Sequence, residues 1–273
     1  MVGFASLLMM GITCLICFIV PIVCIWWLRR KYNASMISFL VGMIAFIVSV
    51  QVLEAPLHIY FLKMNETTAT WLRNPYLYSL YGGLMAGIFE ETARWVCFKF
   101  FLKKHHRIQD SLSYGVGHGG IEAMLIVGTT YLSNLIVSIM INNGTIDSLG
   151  FSVELQELVT QQLSLTSPLL FGIAGYERLM TLIIQVGLSV LVFKGVREHK
   201  IRYYFIAILL HAILDFPAAL YQMGISNIFV IEGIITVFAI GYGCFILKQI
   251  KQYRSDLTKN ENQELENYQK AGY

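Results

Sequence analysis

Seven runs of apolar sequence dominate this chain, and each matches the roughly 20 residues that a helix needs to cross a bilayer. They fall at about 3–28, 35–62, 76–102, 110–140, 168–193, 203–222 and 227–247. In lipid, backbone N–H and C=O groups find no water, so such segments must be helices; they are too long and too evenly apolar for barrel strands. Charge agrees with this. Asp, Glu, Lys and Arg make up 14% of the 273 residues, against about 25% in soluble domains. The expected fold is all-α: a polytopic membrane protein with about seven transmembrane helices in one bundle. Residues 1–254 form that domain, and 255–273 form a polar cytoplasmic tail, disordered or a frayed helix.

Lysine and arginine set the orientation. Arg29, Arg30, Lys31, Lys103, Lys104, Arg107, Lys194, Arg197, Lys200 and Arg202 follow spans one, three and five. Lys248, Lys251, Arg254, Lys259 and Lys270 follow span seven, whereas the opposite side has only Lys63 and Arg73. The positive-inside rule predicts an N-terminus outside and a C-terminus in the cytoplasm. These cations mark topology and predict no nucleic-acid partner; the expected surroundings are the lipid bilayer of a cell membrane. The N-terminus lacks a basic n-region, so the first span is expected to stay as an anchor. The outer segment 141–167 has an amphipathic piece around 153–163 that suits the membrane surface. Cys14, Cys17, Cys24, Cys97 and Cys244 lie in apolar spans and read as packing residues.

Charged groups at membrane depth are costly and concentrate at functional sites. Span three carries Glu90, Glu91 and Arg94, span four His118 and Glu122, and span six His211 and Asp215. Glu90 with Arg94, His118 with Glu122, and His211 with Asp215 are each four apart, hence on one helix face. At about 1.5 Å of rise per residue, Arg94, His118 and His211 come out roughly 12–13 Å from the cytoplasmic ends of their spans. Glu90, Glu122 and Asp215 come out at roughly 18–20 Å. Two matching polar layers on three helices predict one shared cavity. Glycines 115, 117, 119 and 120 flank His118, which reads as room for a substrate backbone; Gly82, Gly83 and Gly87 read as packing. Pro217 is placed to kink span six. Glu177 and Arg178 are adjacent, point about 100° apart on a helix, and are not expected to pair simply. Glu54, His58 and Glu232 read as helix-contact or interfacial groups.

The ordered set Glu90-Glu91-Thr92-Ala93-Arg94, Gly117-His118-Gly119-Gly120-Ile121-Glu122, Glu177-Arg178 and His211-Ala212-Ile213-Leu214-Asp215 resembles the YhfC-type membrane peptidases. Those belong to the wider superfamily of type II CAAX prenyl protease-like membrane proteins. The resemblance implies an intramembrane endopeptidase in a bacterial plasma membrane, acting on a membrane peptide or protein. It implies Glu90 or Glu91 as the base that activates water, His118 as its partner, and His211 with Asp215 beside the oxyanion. Two departures stand out. Two residues, not three, separate Glu91 from Arg94, which leaves the identity of the base open. Gln185 stands where many such chains are expected to have a histidine, which puts a role for that position in doubt.

The chemistry is sufficient for hydrolysis without the resemblance: a base for water and donors for the developing oxyanion. Metal chemistry is the alternative. His118, His211 and Glu90 make a His2Glu zinc set, but no His-Glu-x-x-His motif is present. Arg94, one turn from Glu90, would repel a nearby cation, so the sequence predicts a metal-free glutamate mechanism, with Zn2+ as the other possibility. Two further classes compete. A proton-coupled transporter could use the same acids and histidines, but inverted repeats are missing. A non-catalytic scaffold of the same superfamily would keep the fold alone.

Overall fold

The computed structural model describes the backbone of residues 1–270 and the side chains of residues 1–253 and 255. Its elements are all helical: α1 (Phe4–Tyr32), α2 (Met36–Met64), α3 (Glu66–Trp71), α4 (Pro75–Val96), α5 (Ile108–Asn143), α6 (Val153–Leu165), α7 (Pro168–Arg197), α8 (Arg202–Gln222) and α9 (Ile228–Lys270). No strand occurs among the described residues.

Local sequence sets the boundaries. Asn33 ends α1 in the left-handed region at φ 50°, a conformation that asparagine tolerates. Ser35 then caps α2 by accepting from the Ser38 amide. Asn74 accepts from the amides of Tyr76 and Leu77, and Pro75 opens α4 with a φ already suited to a first helical turn. α2 widens into π-type turns over Ile47–Glu54 and Tyr60–Met64, α4 continues through one over Cys97–Phe101, and α5 contains one over Ala123–Gly128. Such turns gather at functional sites; the α5 turn begins directly after Glu122. Pro217 lies inside α8, which runs on through it to Gln222.

Among the described residues, six helices are long and apolar enough to cross a membrane: α1, α2, α5, α7, α8 and the Ile228–Tyr253 part of α9. α4 has the length for a seventh span, but Glu90, Glu91 and Arg94 lower its apolar content. α7 lies at the centre, with 67% of its most apolar window buried against 28% for α1, and it packs on α1, α5 and α9. α4 lies along α8. The two approach through Gly83 and Gly87, where an added Cβ would come within 2.6 Å of the Ala212 carbonyl oxygen and 2.7 Å of that of Ile208. Small residues at such contacts let membrane helices pack backbone to backbone.

One expectation needs correction. The glycines around His118 leave no room for substrate. A side chain at Gly117 would strike the Phe39 carbonyl, one at Gly115 the Val186 backbone, and one at Gly120 the Pro21 ring; all three hold α5 against neighbouring helices. The tail from Ser255 continues α9 as one helix through Lys270, while residues 271–273 and the tail side chains beyond 255 lie outside the described residues.

Candidate active site

Six helices line a cavity of about 480 Å³ within the bundle. From α2 it takes Phe46, Val50, Glu54, His58 and Leu62, each four residues from the last, and from α4 Tyr78, Tyr81, Gly82, Ala86 and Glu90. These are single faces of helices at the 3.6-residue period, so the cavity is a shaft. Along α4 it extends roughly 18 Å from Tyr78 to Glu90 at the helical rise.

The shaft's deep end is built on Glu90. Its Oε2 lies 2.8 Å from His118 Nε2 on α5, and its Oε1 lies 3.9 Å from His211 Nε2 on α8. Gln185 Nε2 on α7 donates to the same carboxylate at 3.3 Å. Asp215 Oδ2, one turn along α8, is 3.4 Å from His211 Nε2 and reaches into the cavity. Both imidazoles therefore approach one carboxylate from different helices.

Glu91 faces the other way. It is fully buried, takes a hydrogen bond from Arg94, and lies 2.7 Å from His211 Nδ1. A carboxylate held between a guanidinium and an imidazole can only accept, so His211 Nδ1 carries the hydrogen. Nε2, which carries a lone pair in the neutral tautomer and a hydrogen in the imidazolium, is the nitrogen turned toward Glu90 and Asp215. Arg94 donates to Glu91 and to Gln185 Oε1, and its longest polar contact, 3.4 Å, is to Glu90. Among the described residues His118 Nδ1 has no hydrogen-bond partner; the Phe46 and Tyr114 rings pack beside the imidazole.

A second pair extends the network outward along the shaft. Arg178 bonds Glu122 at 3.1 Å and also Glu177. The expectation that Glu177 and Arg178 would not pair is corrected: the arginine side chain is long enough to bend back across the 100° between neighbours. Gln185 joins the pair to the deep end by donating to Glu122 as well. Sequence reasoning discounted Gln185, yet it touches Arg94, Glu90 and Glu122. The readable signal was a buried amide on an apolar helix, two turns beyond Glu177. Nearer the mouth, His58 bridges Glu54 at 3.0 Å and the Tyr81 hydroxyl at 2.9 Å. Glu232 is buried on α9, and neither carboxylate oxygen has a partner among the described residues.

Donor chemistry can be tested against a divalent ion. No group of three His, Cys, Asp or Glu side chains closes into a coordination shell among the described residues. The donor types fit all the same: two Nε2 atoms and a carboxylate at one point, with Glu91 on the second nitrogen of His211, the arrangement that orients metal-binding histidines. His118 lacks such a support.

A helical membrane bundle with acids, histidines and an arginine around a shaft at membrane depth defines a class of polytopic membrane proteins with a buried polar site. Within that class, the family model described as YhfC intramembrane metalloprotease matches residues 16–235, and the chain belongs to that family. It is 38% identical over 228 residues to the Uncharacterized membrane protein YhfC of Bacillus subtilis (strain 168), covering 82% of this chain and 88% of the relative. No solved structure matches. The chain is a multi-pass bacterial membrane protein.

Proposed function

We propose that this protein is an intramembrane endopeptidase that cuts a membrane peptide or protein at the deep end of the shaft. Glu90 carries this reading: one carboxylate is approached by two histidines from separate helices, on the wall of a cavity large enough for extended peptide. In this reading α4 is the seventh span, the N-terminus is outside, and the C-terminal tail from 255 is cytoplasmic. The shaft then opens toward the outer face, where Tyr78 and His58 lie. A transporter or scaffold role has no observation of its own to favour it.

A zinc ion suits this centre. The metal-free expectation rested on Arg94 repelling a cation beside Glu90. In the structure Arg94 is directed to Glu91 and Gln185, which weakens that objection. With Nδ1 hydrogen-bonded to Glu91, Nε2 is the nitrogen of His211 that faces Glu90, and in the neutral tautomer that nitrogen is a metal ligand. His118 Nε2, His211 Nε2 and Glu90 would hold the ion, consistent with the family's description as a metalloprotease. When bound, such an ion polarises a carbonyl and makes water acidic near neutral pH.

The chain's own residues do the rest. Arg94 fixes Glu91, and Glu91 fixes the His211 ring. Gln185 holds Glu90 and Glu122 in place from α7. Asp215 reaches the cavity with no lysine or arginine bonded to it among the described residues, so it is the carboxylate placed to take a proton from water. Glu122, bonded to Arg178 and Gln185, is less available. The test is elemental analysis of purified protein alongside cleavage of a tagged membrane-peptide library in vesicles. The expected result is near-stoichiometric zinc, lost with cleavage on chelation and regained on adding it back. Cleavage that persists without any metal would return the site to the glutamate mechanism, and no cleavage in either state would end the peptidase reading.

A further inference from the structure

Where lysines and arginines gather at one end of the bundle, a second cavity of about 190 Å³ opens among α5, α7 and α9. Its floor is apolar, made by Ile108, Val190 and Phe193, and its walls carry Lys194, Arg197, Gln249 and Gln252. This cavity has no part in the shaft or its chemistry.

Charge around it is unbalanced. Glu198 is the acid in the wall, and it is shared by Lys194 at 3.4 Å and Lys200 at 2.8 Å. Arg107 is neutralised by Asp110 at 2.9 Å. The Arg197 guanidinium is held over the Tyr253 ring, 4.8 Å from its centroid, and has no hydrogen-bond acceptor among the described residues. Lys194 reaches Gln249 at 3.2 Å, and the Gln252 amide is exposed beside it. Among the described residues, one carboxylate against Lys194, Lys200 and Arg197 leaves a surplus of positive charge around a void.

We infer that this cavity binds the phosphate of an anionic phospholipid from the adjoining leaflet. A guanidinium and an ammonium on one void recognise phosphate. Basic pockets between membrane helices take lipid headgroups in this way. A free phosphate ion would offer the same anionic oxygens. Lipid is the occupant because the pocket lies at the end of a spanning helix, and its apolar floor suits the glycerol and first methylenes below the phosphate.

The test uses the full chain in a neutral detergent. Native mass spectrometry counts retained lipid, and thermal unfolding is followed with phosphatidylglycerol, phosphatidylcholine or inorganic phosphate added. Phosphatidylglycerol should be retained at one per chain and raise Tm, while the other two leave Tm unchanged. Arg197→Gln removes the unpaired cation. Gln252→Glu, at an exposed position that tolerates substitution, adds a carboxylate to the wall. Each should weaken phosphatidylglycerol retention about fivefold, as about 1 kcal/mol per cation near a membrane surface implies. Unchanged retention in both variants, or equal retention of phosphatidylcholine, would overturn the site. An equal Tm rise with inorganic phosphate would overturn the lipid assignment.

Discussion

Glu90 and Glu91 are neighbours in sequence and occupy opposite environments. Glu91 is sealed between Arg94 and His211 Nδ1, while Glu90 meets His118 Nε2 and His211 Nε2 on the wall of the shaft. A rotation of about 100° around one helix separates the two. It divides one polar patch into a sealed side that holds geometry and an open side available for chemistry. The histidine between them faces both, one nitrogen to each acid.

That contrast can be broken most forcefully at Arg94. Removing it leaves Glu91 buried without its cation, which costs about 3–5 kcal/mol for a buried pair. Arg94→Met should therefore lower Tm sharply and cut the yield of folded protein. A variant with wild-type Tm would mean that the sealed side does not hold the bundle. Glu91→Gln keeps the shape but weakens the hold on His211. Residues that orient a ligand typically cost about 10–100-fold when changed, so cleavage should fall by that range while the protein stays folded. A complete loss at Glu91 would erase the distinction between the two glutamates. Gln185→Ala leaves Arg94, Glu90 and Glu122 each short of one partner, at about 1–3 kcal/mol for a buried unsatisfied group. Thermal unfolding checks this, and no change would show that water replaces the amide.

The smallest effect belongs to an ion pair outside the membrane. The Lys200 ammonium bonded to Glu198 holds its carboxyl below the usual carboxylate range. A depressed pKa adds stability above the unfolded value near 4.3, and that stability is lost as pH falls through the folded value. The pair is solvated, so Glu198→Gln should cost only about 0.5 kcal/mol at neutral pH, and nothing once the carboxyl is protonated. A multi-kcal/mol loss would contradict the claim that burial gives the charges around Glu90 their weight.

What was legible in the sequence was what a single helix determines. The apolar runs gave the all-helical architecture and the six helices apolar enough to cross a membrane among the described residues, and spacing of four placed Glu90 with Arg94 and His211 with Asp215, pairs found at 3.4 Å in both cases. Depth counted along three helices predicted one cavity; Glu90, Glu122, His211 and Asp215 line it, while His118, Glu91 and Arg94 are buried behind its wall. Relations between helices were not legible. Gln185 bonds Arg94 from 91 positions away, and no periodicity says which face of α7 meets α4. The glycines beside His118 misled for the same reason: a missing side chain opens space or lets another helix in, and only the neighbour decides. The choice between Glu90 and Glu91 also depended on neighbours, because both flanking faces of α4 are polar.

The most direct test of the account compares cleavage of a tagged membrane-peptide library by wild type, Glu90→Gln and Glu91→Gln, each reconstituted in vesicles at matched folded protein. The account predicts cleavage by wild type, none by Glu90→Gln with its unfolding temperature retained, and residual cleavage by Glu91→Gln. Undiminished cleavage by Glu90→Gln would contradict it.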